Sequence, residues 1–407
     1  MAYDFIIVGG GVAGIATAEL LQRSGQAVLL LEKNHELCSE SSAEQQGWFH
    51  TGALYAALPN KSYVRACERN LEILRRYYTG FPAMNLDPSP HADQASPDKP
   101  WFNESFVLYI YSSIWNSSVP FHLKPAWWWL ASQARSFTGW RGVTRVPSAL
   151  RLGKVAFCHR SADRTMNTDS ILSDLVASFI ASGGELRLHS PVSRVEHSHV
   201  ATPEGSYTGT HIIVTSSKNI DSLCGISTTV LKSPLLVLAR TLSEENFVIM
   251  HPIPRHTMNH IVHTAPQGQP YSVLGNALYF AASEPTNDEA IHARMIALAE
   301  DTFGTRVEPE EAKLFFGFKT EMPSRTGLRS YQPTLMDTGS SLIALPGKFS
   351  LSFTMAVDIC LRYGIVPRLE VAPLPTALPA VPICSTHHRR CMEMMAHSGT
   401  SMAKKMT

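Results

Sequence analysis

Three glycines at positions 9, 11 and 14, with an acid at position 32, are the first residues whose types and spacing can do chemistry. Gly9 allows a sharp turn, Gly11 lets backbone approach a pyrophosphate, and Gly14 lets a helix press against a strand. Val12 and Ala13 open that helix, so its unpaired N–H groups and positive dipole end face the phosphates. Glu32 can accept hydrogen bonds from a ribose hydroxyl. Together they bind a dinucleotide. Near the far end of the chain Arg329 can clamp a carboxylate at two points through its planar guanidinium. The turn Gly347-Lys348-Phe349-Ser350-Leu351 precedes a helix and can offer backbone N–H donors to negative charge.

These residues need elements to position them. Phe5–Val8 is an apolar, β-branched run that reads as a buried strand, Val12–Arg23 as a helix, and Ala27–Leu31 as a second buried strand ending at Glu32 and Lys33. Ser39, Ser41 and Ser42 offer hydroxyls to the pyrophosphate. Lys61–Tyr78 has the spacing of an amphipathic helix. Asn167 or Thr168 can cap a helix over Asp169–Ser182, which Gly183 and Gly184 end. Strands are expected at Glu185–Leu188, Val192–Val195 and His211–Thr215. Short apolar runs between turns from Ile226 to Phe280 predict an antiparallel sheet. Thr286 to Glu289 reads as a capping box for a helix to Phe303, stopped by Gly304. Lys313–Phe318 and Leu342–Leu345 read as strands, followed by a helix ending at Gly364.

The stretch Gly47-Trp48-Phe49-His50-Thr51-Gly52-Ala53-Leu54-Tyr55, entered from the serine-rich segment, resembles the D-amino-acid-oxidase superfamily of flavoproteins. It is nearest the branch holding L-2-hydroxyglutarate and glycerol-3-phosphate dehydrogenases. In those families a His-x-Gly-(small)-x-Tyr motif lies beside the flavin ring, and His50, Gly52 and Tyr55 fall on it, with Ala53-Leu54 reversing the usual order. The resemblance implies FAD as cofactor, with His50, Thr51 and Tyr55 at the flavin. It also places Val192 where a backbone holds adenine, and Gly347–Leu351 where a helix tip faces the flavin. Thr215-Ser216-Ser217 stands where the family has an Ala-x-Gly turn.

Several residues have competing readings. His50 can be a base or orienter at the flavin, a covalent attachment point as in the dimethylglycine and sarcosine dehydrogenase relatives, or a structural histidine. Arg329 can hold a substrate acid or form an interdomain ion pair, with Arg325 and Lys319 as alternates. Trp101, Trp115, Trp127, Trp128, Trp129 and Trp140 can form a substrate wall or lid, a rim touching a partner or membrane, or ordinary core. His251, His256, His260 and His263 crowd one region, but strand alternation splits them between faces, so no metal site is expected.

A net charge of +1 over 407 residues argues against nucleic acid as a partner. Seven scattered cysteines without a C-x-x-C read as reduced thiols. No signal peptide or bilayer-spanning run is expected, which suggests a cytoplasmic enzyme with peripheral membrane contact left open. The fold class expected is α/β: a Rossmann-like FAD-binding domain (1–80, 141–225 and 311–364) and a second, mostly antiparallel-sheet substrate domain (81–140 and 226–310). Residues 365–407, rich in Pro and then in Met, His, Arg and Lys, are expected as a flexible tail. The function expected is removal of a hydride from a C–OH or C–NH carbon of a small acid-bearing substrate, a 2-hydroxy acid or amino-acid-like molecule. Alternatives are oxidation of a bulkier biosynthetic intermediate, a flavin-fold protein without turnover, and an NAD-binding dehydrogenase.

Overall fold

The computed structural model describes residues 2–56, 61–86, 100–112, 139–152, 155–250, 257–323, 333–374 and 381–403. Two sheets organise them. Tyr3–Val8, buried from Phe5 onward, runs through the middle of the first. It pairs in parallel with Val28–Leu31 on one side and Gly205–Val214 on the other. Glu185–Arg187 lies beyond the former and Leu342–Leu345 beyond the latter, both parallel, and Thr334–Asp337 adds an antiparallel edge. Parallel neighbours need crossovers, and the Val12–Arg23 helix supplies the first one.

The helices Val12–Arg23, Thr168–Ala181 and Ser352–Arg362 share one core with this sheet, through Leu20, Leu21, Ile171, Leu175, Met355 and Ile359. Each such side chain contributes about 1.5–3 kcal/mol by leaving water. A buried ion pair lies within the Val12–Arg23 helix, where Arg23 Nε donates to Glu19 Oε1 at 2.6 Å, and Ser178 Oγ of the Thr168–Ala181 helix donates to the same oxygen at 2.7 Å. The added hydroxyl helps to satisfy a carboxylate that burial would otherwise penalise.

The second sheet is antiparallel through Thr229–Leu238, Asn246–Met250, Met258–Thr264, Pro270–Asn276 and Phe280–Ala281, as the apolar runs predict. Ala312–Glu321 pairs along Thr229–Leu238. Phe102–Ser112 joins in parallel to Asn246–Met250 and carries Val155–Met166, to which Trp48–Phe49 and Trp140–Val143 attach. The expected boundaries therefore need correction, because Val155–Met166 and Ala312–Glu321 belong to the second sheet and not to the nucleotide-binding unit. Ladder partners decide membership, and linear order does not carry them.

Two further expectations change, and one open choice is made. The Asp288–Phe303 helix is capped by Asn287, whose Oδ1 accepts from Ala290 N at 3.0 Å, while Thr286 Oγ1 donates to Asp288 at 2.6 Å. Trp101 is fully buried among Tyr78, Phe81 and Phe353, so it is core and not a substrate wall. Trp140 stacks on His159 at 4.6 Å, and Trp115 and Trp127 to Trp129 lie outside the described residues.

The second change concerns the expected tail. Leu37 N donates to Pro382 O and Cys384 N to Leu37 O, both at 2.9 Å. His387–Ala403 is a helix whose Cys391, Met392 and Met395 pack on Val237, Tyr271 and Phe315. Arg389 Nη1 reaches Asp169 Oδ2 at 2.5 Å. Methionine is flexible enough to fill a face that another element defines, so the apolar stripe has no signature of its own in a polar-looking segment.

Candidate active site

The glycine turn is built as the spacing predicts. Gly9 has φ +112°, open to glycine and strained for other residues. A Cβ on Gly14 would stand 1.9 Å from the Gly9 carbonyl oxygen, so no side chain fits where helix and turn meet. The Val12–Arg23 helix begins with no side-chain cap on Gly11, and Ser42 Oγ accepts from Val12 N at 3.0 Å. Glu32 is buried at the tip of its strand. Its Oε2 accepts from Gly10 N at 2.6 Å and its Oε1 from Asn34 N at 2.9 Å. The acid thus ties the turn to the second strand and still has lone pairs for a ribose.

The second helix start sits against the same space. Gly347 has φ +70°, Lys348 is extended, and Phe349–Leu351 makes a 3-10 turn into the Ser352–Arg362 helix without a side-chain cap. One cavity of about 680 Å³ is lined by Gly9, Gly11, Val12, Ala13, Glu32, Lys33, Ser41, Ser42 and Val192 and also by His50, Tyr55, Gly347, Lys348, Phe349 and Ser350. Gly14 lies under the turn, Thr51 faces Asp163, and Leu351 is fully buried; none of the three lines the cavity. Arg325 and Arg329 lie outside the described residues, as do His251 and His256.

The cavity suits a dinucleotide. Ser41 Oγ and Ser216 Oγ are buried on its wall beside the glycine turn, and neither has a hydrogen-bond partner among the described residues. Ser216 belongs to the turn that departs from the family pattern. That turn still meets the glycines, because Thr215 Oγ1 donates to Gly9 O at 2.9 Å and Ser216 Cα would touch a Gly9 Cβ at 3.0 Å.

His50 stands at the junction of the two sheets. Its ring lies 4.1 Å from that of Trp48 and 5.9 Å from that of Tyr55. Burial, reinforced by the nearby Lys348 charge, lowers its pKa to about 4 against the opposing pull of Asp163, so the ring is neutral at pH 7. Lys348 Nζ sits 5.1 Å from the Tyr55 ring and Lys319 Nζ 5.5 Å from that of Tyr279. Both lysines line the cavity, and both charges act on His50.

Asp163 is the residue that sequence reading misses. It is fully buried and accepts from Thr51 N at 2.7 Å, Thr51 Oγ1 at 2.6 Å, Tyr109 OH at 2.7 Å and Trp48 Nε1 at 3.1 Å. Burial alone would raise its pKa, but His50 and the donated hydrogen bonds outweigh that and hold it below the usual carboxylate range. The available signal was an acid inside a strand that the core covers, which is rare unless the charge is partnered. Gln46 and Asn259 were also missed; Gln46 Nε2 donates to Asn259 Oδ1 at 2.6 Å on the cavity wall.

His260 and His263, the two described histidines of the histidine-rich region, make hydrogen bonds that support the wall. His260 bonds Glu245 O at 2.9 Å and Ser272 Oγ at 2.7 Å, and His263 Nε2 donates to Gln46 O at 2.8 Å. A Cβ on Gly47 would meet His263 Cε1 at 2.4 Å, which explains the glycine there. No helix among the described residues is long and apolar enough to cross a membrane.

Comparison with known proteins agrees with this architecture. Residues 4–346 match the family described as FAD dependent oxidoreductase (DAO). The mitochondrial L-2-hydroxyglutarate dehydrogenase of Caenorhabditis elegans is 33% identical over 78 residues, 19% of this chain and 18% of that relative's length. The matched stretch is thus under a fifth of the curated relative. Among solved structures, glycine oxidase from Geobacillus kaustophilus superposes with a TM-score of 0.64 at 14% identity, covering 93% of this chain and 100% of that one. Dithionite-reduced L-alpha-glycerophosphate oxidase from Mycoplasma pneumoniae with FAD bound gives 0.67 at 14% identity, covering 92% and 97%. At such identities the likeness is one of fold.

Proposed function

This chain belongs to the FAD-dependent oxidoreductase family, and we propose that it removes a hydride from a carbon bearing a hydroxyl or amine in a small acid-bearing substrate. The observation that carries this reading is the convergence of two helix starts, after Gly11 and after Gly347, on one cavity that His50 also lines. Gly9, Gly11, Glu32, Ser41, Ser42 and Val192 would hold the nucleotide part of FAD. The turn Gly347–Ser350 would face its ring, where backbone N–H groups and the positive end of a helix favour negative charge. When bound, the flavin supplies the hydride acceptor and passes the electrons to oxygen or another acceptor.

The remaining chemistry belongs to side chains. Neutral His50 can take the proton that the substrate hydroxyl or amine gives up. Tyr55 shapes the wall beside it. Lys319 and Lys348 supply positive potential for an acid group, with Arg329 proposed as the two-point clamp. The similar proteins are named for 2-hydroxyglutarate, glycine and glycerophosphate, and each of those substrates carries an acid, which supports the same class here.

An absorbance spectrum of the purified protein, followed by anaerobic addition of 2-hydroxy acids, amino acids and amines, tests the reading. The expected result is a yellow protein that bleaches near 450 nm with at least one acid-bearing substrate. Colourless protein that cannot be loaded with FAD overturns the cofactor assignment. Yellow protein that no such compound bleaches overturns the substrate class. Acid precipitation of the same sample reads the His50 linkage: colour retained in the pellet means a covalent bond.

A further inference from the structure

We infer that Asp163 is a positioning residue for His50, and that the two form a buried dyad whose imidazole takes the substrate's proton. The inference rests on the reading of His50 as proton acceptor and adds the group that makes it competent.

His50 Nδ1 is buried, has no hydrogen-bond partner among the described residues, and stands 3.7 Å from Asp163 Oδ2. That gap is longer than a hydrogen bond, but a shift below 1 Å closes it, and such contacts commonly tighten when substrate binds. The carboxylate itself cannot wander. Trp48 and Thr51 hold it from the segment carrying His50, and Tyr109 holds it from the neighbouring strand. Four donated hydrogen bonds keep the acid ionised in a site with no exposure to water.

The charge balance around His50 shows why an acid is needed. Lys348 approaches from the turn before the Ser352–Arg362 helix and Lys319 from the Ala312–Glu321 strand, and both oppose a positive imidazole. Asp163, on Val155–Met166, is the negative charge that favours it. Trp48 and Tyr55 add neutral rings. With its Nδ1 proton directed at Asp163, the ring presents its other nitrogen with a lone pair. As the substrate O–H or N–H bond breaks, the proton moves to that nitrogen. The freed electron pair would form the new C=O or C=N bond as the C–H pair leaves as hydride, which FAD, when bound, would accept. The imidazolium so formed rests against a carboxylate that is already charged and already oriented.

Asp163→Asn keeps the shape and removes the charge, and it is read in two ways. The first is the anaerobic bleaching rate against pH, with flavin content and KM measured alongside. The expected result is retained flavin, a little-changed KM, a fall in rate of about 100-fold or more, and an acid limb moved to lower pH. The second is NMR titration of the His50 ring, which needs no substrate. Loss of an opposite charge this close should lower its pKa by about one unit or more. A bleaching rate within about threefold of the parent, or an unmoved His50 titration, overturns the dyad.

Should Asp163→Asn fail to fold, Tyr109→Phe removes one donor and keeps the acid. It is expected to slow bleaching several-fold at unchanged KM and to shift the His50 titration. A lower melting temperature with unchanged rate and titration would reduce the network to a structural role and overturn the proposal. If the parent protein itself never bleaches, the proposed function fails, while the NMR arm still decides whether Asp163 and His50 are coupled.

Discussion

Tyr271 OH and His388 Nδ1 stand 2.7 Å apart in the protein interior and join the second sheet to the C-terminal helix. The same segment backs the cavity wall, since His387 N donates to Ala43 O at 2.9 Å and His263, the donor to Gln46 O, lies 4.3 Å from the His388 ring. His388→Leu leaves the buried phenol unpaired, a loss of about 1–3 kcal/mol. The thermal midpoint and the FAD affinity, measured by fluorescence titration, should both fall. A variant matching the parent in both would show that the C-terminal segment does not brace the cavity.

Gly14→Ala tests the glycine turn. The added methyl group would collide with the Gly9 carbonyl oxygen, and neither backbone can retreat without opening the turn. The protein should purify with little or no flavin. Stoichiometric FAD in the variant would contradict the geometry.

Glu32→Ala removes the acceptor of Gly10 N and Asn34 N together with the candidate ribose acceptor. Losing a charged hydrogen bond costs about 1.5–3 kcal/mol, roughly ten- to a hundredfold in FAD dissociation constant. Equilibrium titration of apoprotein checks this, and an unchanged constant would place the ribose elsewhere.

The proposed acid-binding side chains make a prediction about substrate. Lys319→Met and Arg329→Ala should each raise KM for acidic substrates by tenfold or more while leaving flavin content intact. Unchanged steady-state kinetics in either variant removes that residue from the substrate site.

Acid should destabilise the fold over a defined window. Burial lowers the pKa of His50, His159, His260 and His263 from 6.5 to about 4. Between those values the unfolded chain binds protons that the folded one refuses, so stability rises with pH through the window and is lost on acidification. Each histidine adds up to about 1.4 kcal/mol per pH unit. Thermal midpoints from pH 7.5 to 4.5 should fall most steeply below pH 6.5, and a flat profile would mean that these rings are hydrated.

The cofactor half of this protein was legible in its residues because the signals are local. Phe5–Val8, the glycine turn, the Val12–Arg23 helix and the strand ending at Glu32 lie within one short stretch, and turn sterics and helix dipoles act over a few residues. The strand at Leu342–Leu345 and the small-residue turn at Gly347 were legible for the same reason.

What tertiary structure alone decided is everything that depends on a partner distant in the chain. Val155–Met166 has no local signature of its own, and pairing with Phe102–Ser112 made it a strand of the second sheet and brought Asp163 to His50. The C-terminal helix has no apolar pattern strong enough to announce itself, and Val237, Tyr271 and Phe315 supply the surface that makes its cysteine and methionines core. A glycine turn needs only its own backbone, whereas a buried carboxylate or a docked helix has no stable place until other elements provide its donors and remove the water.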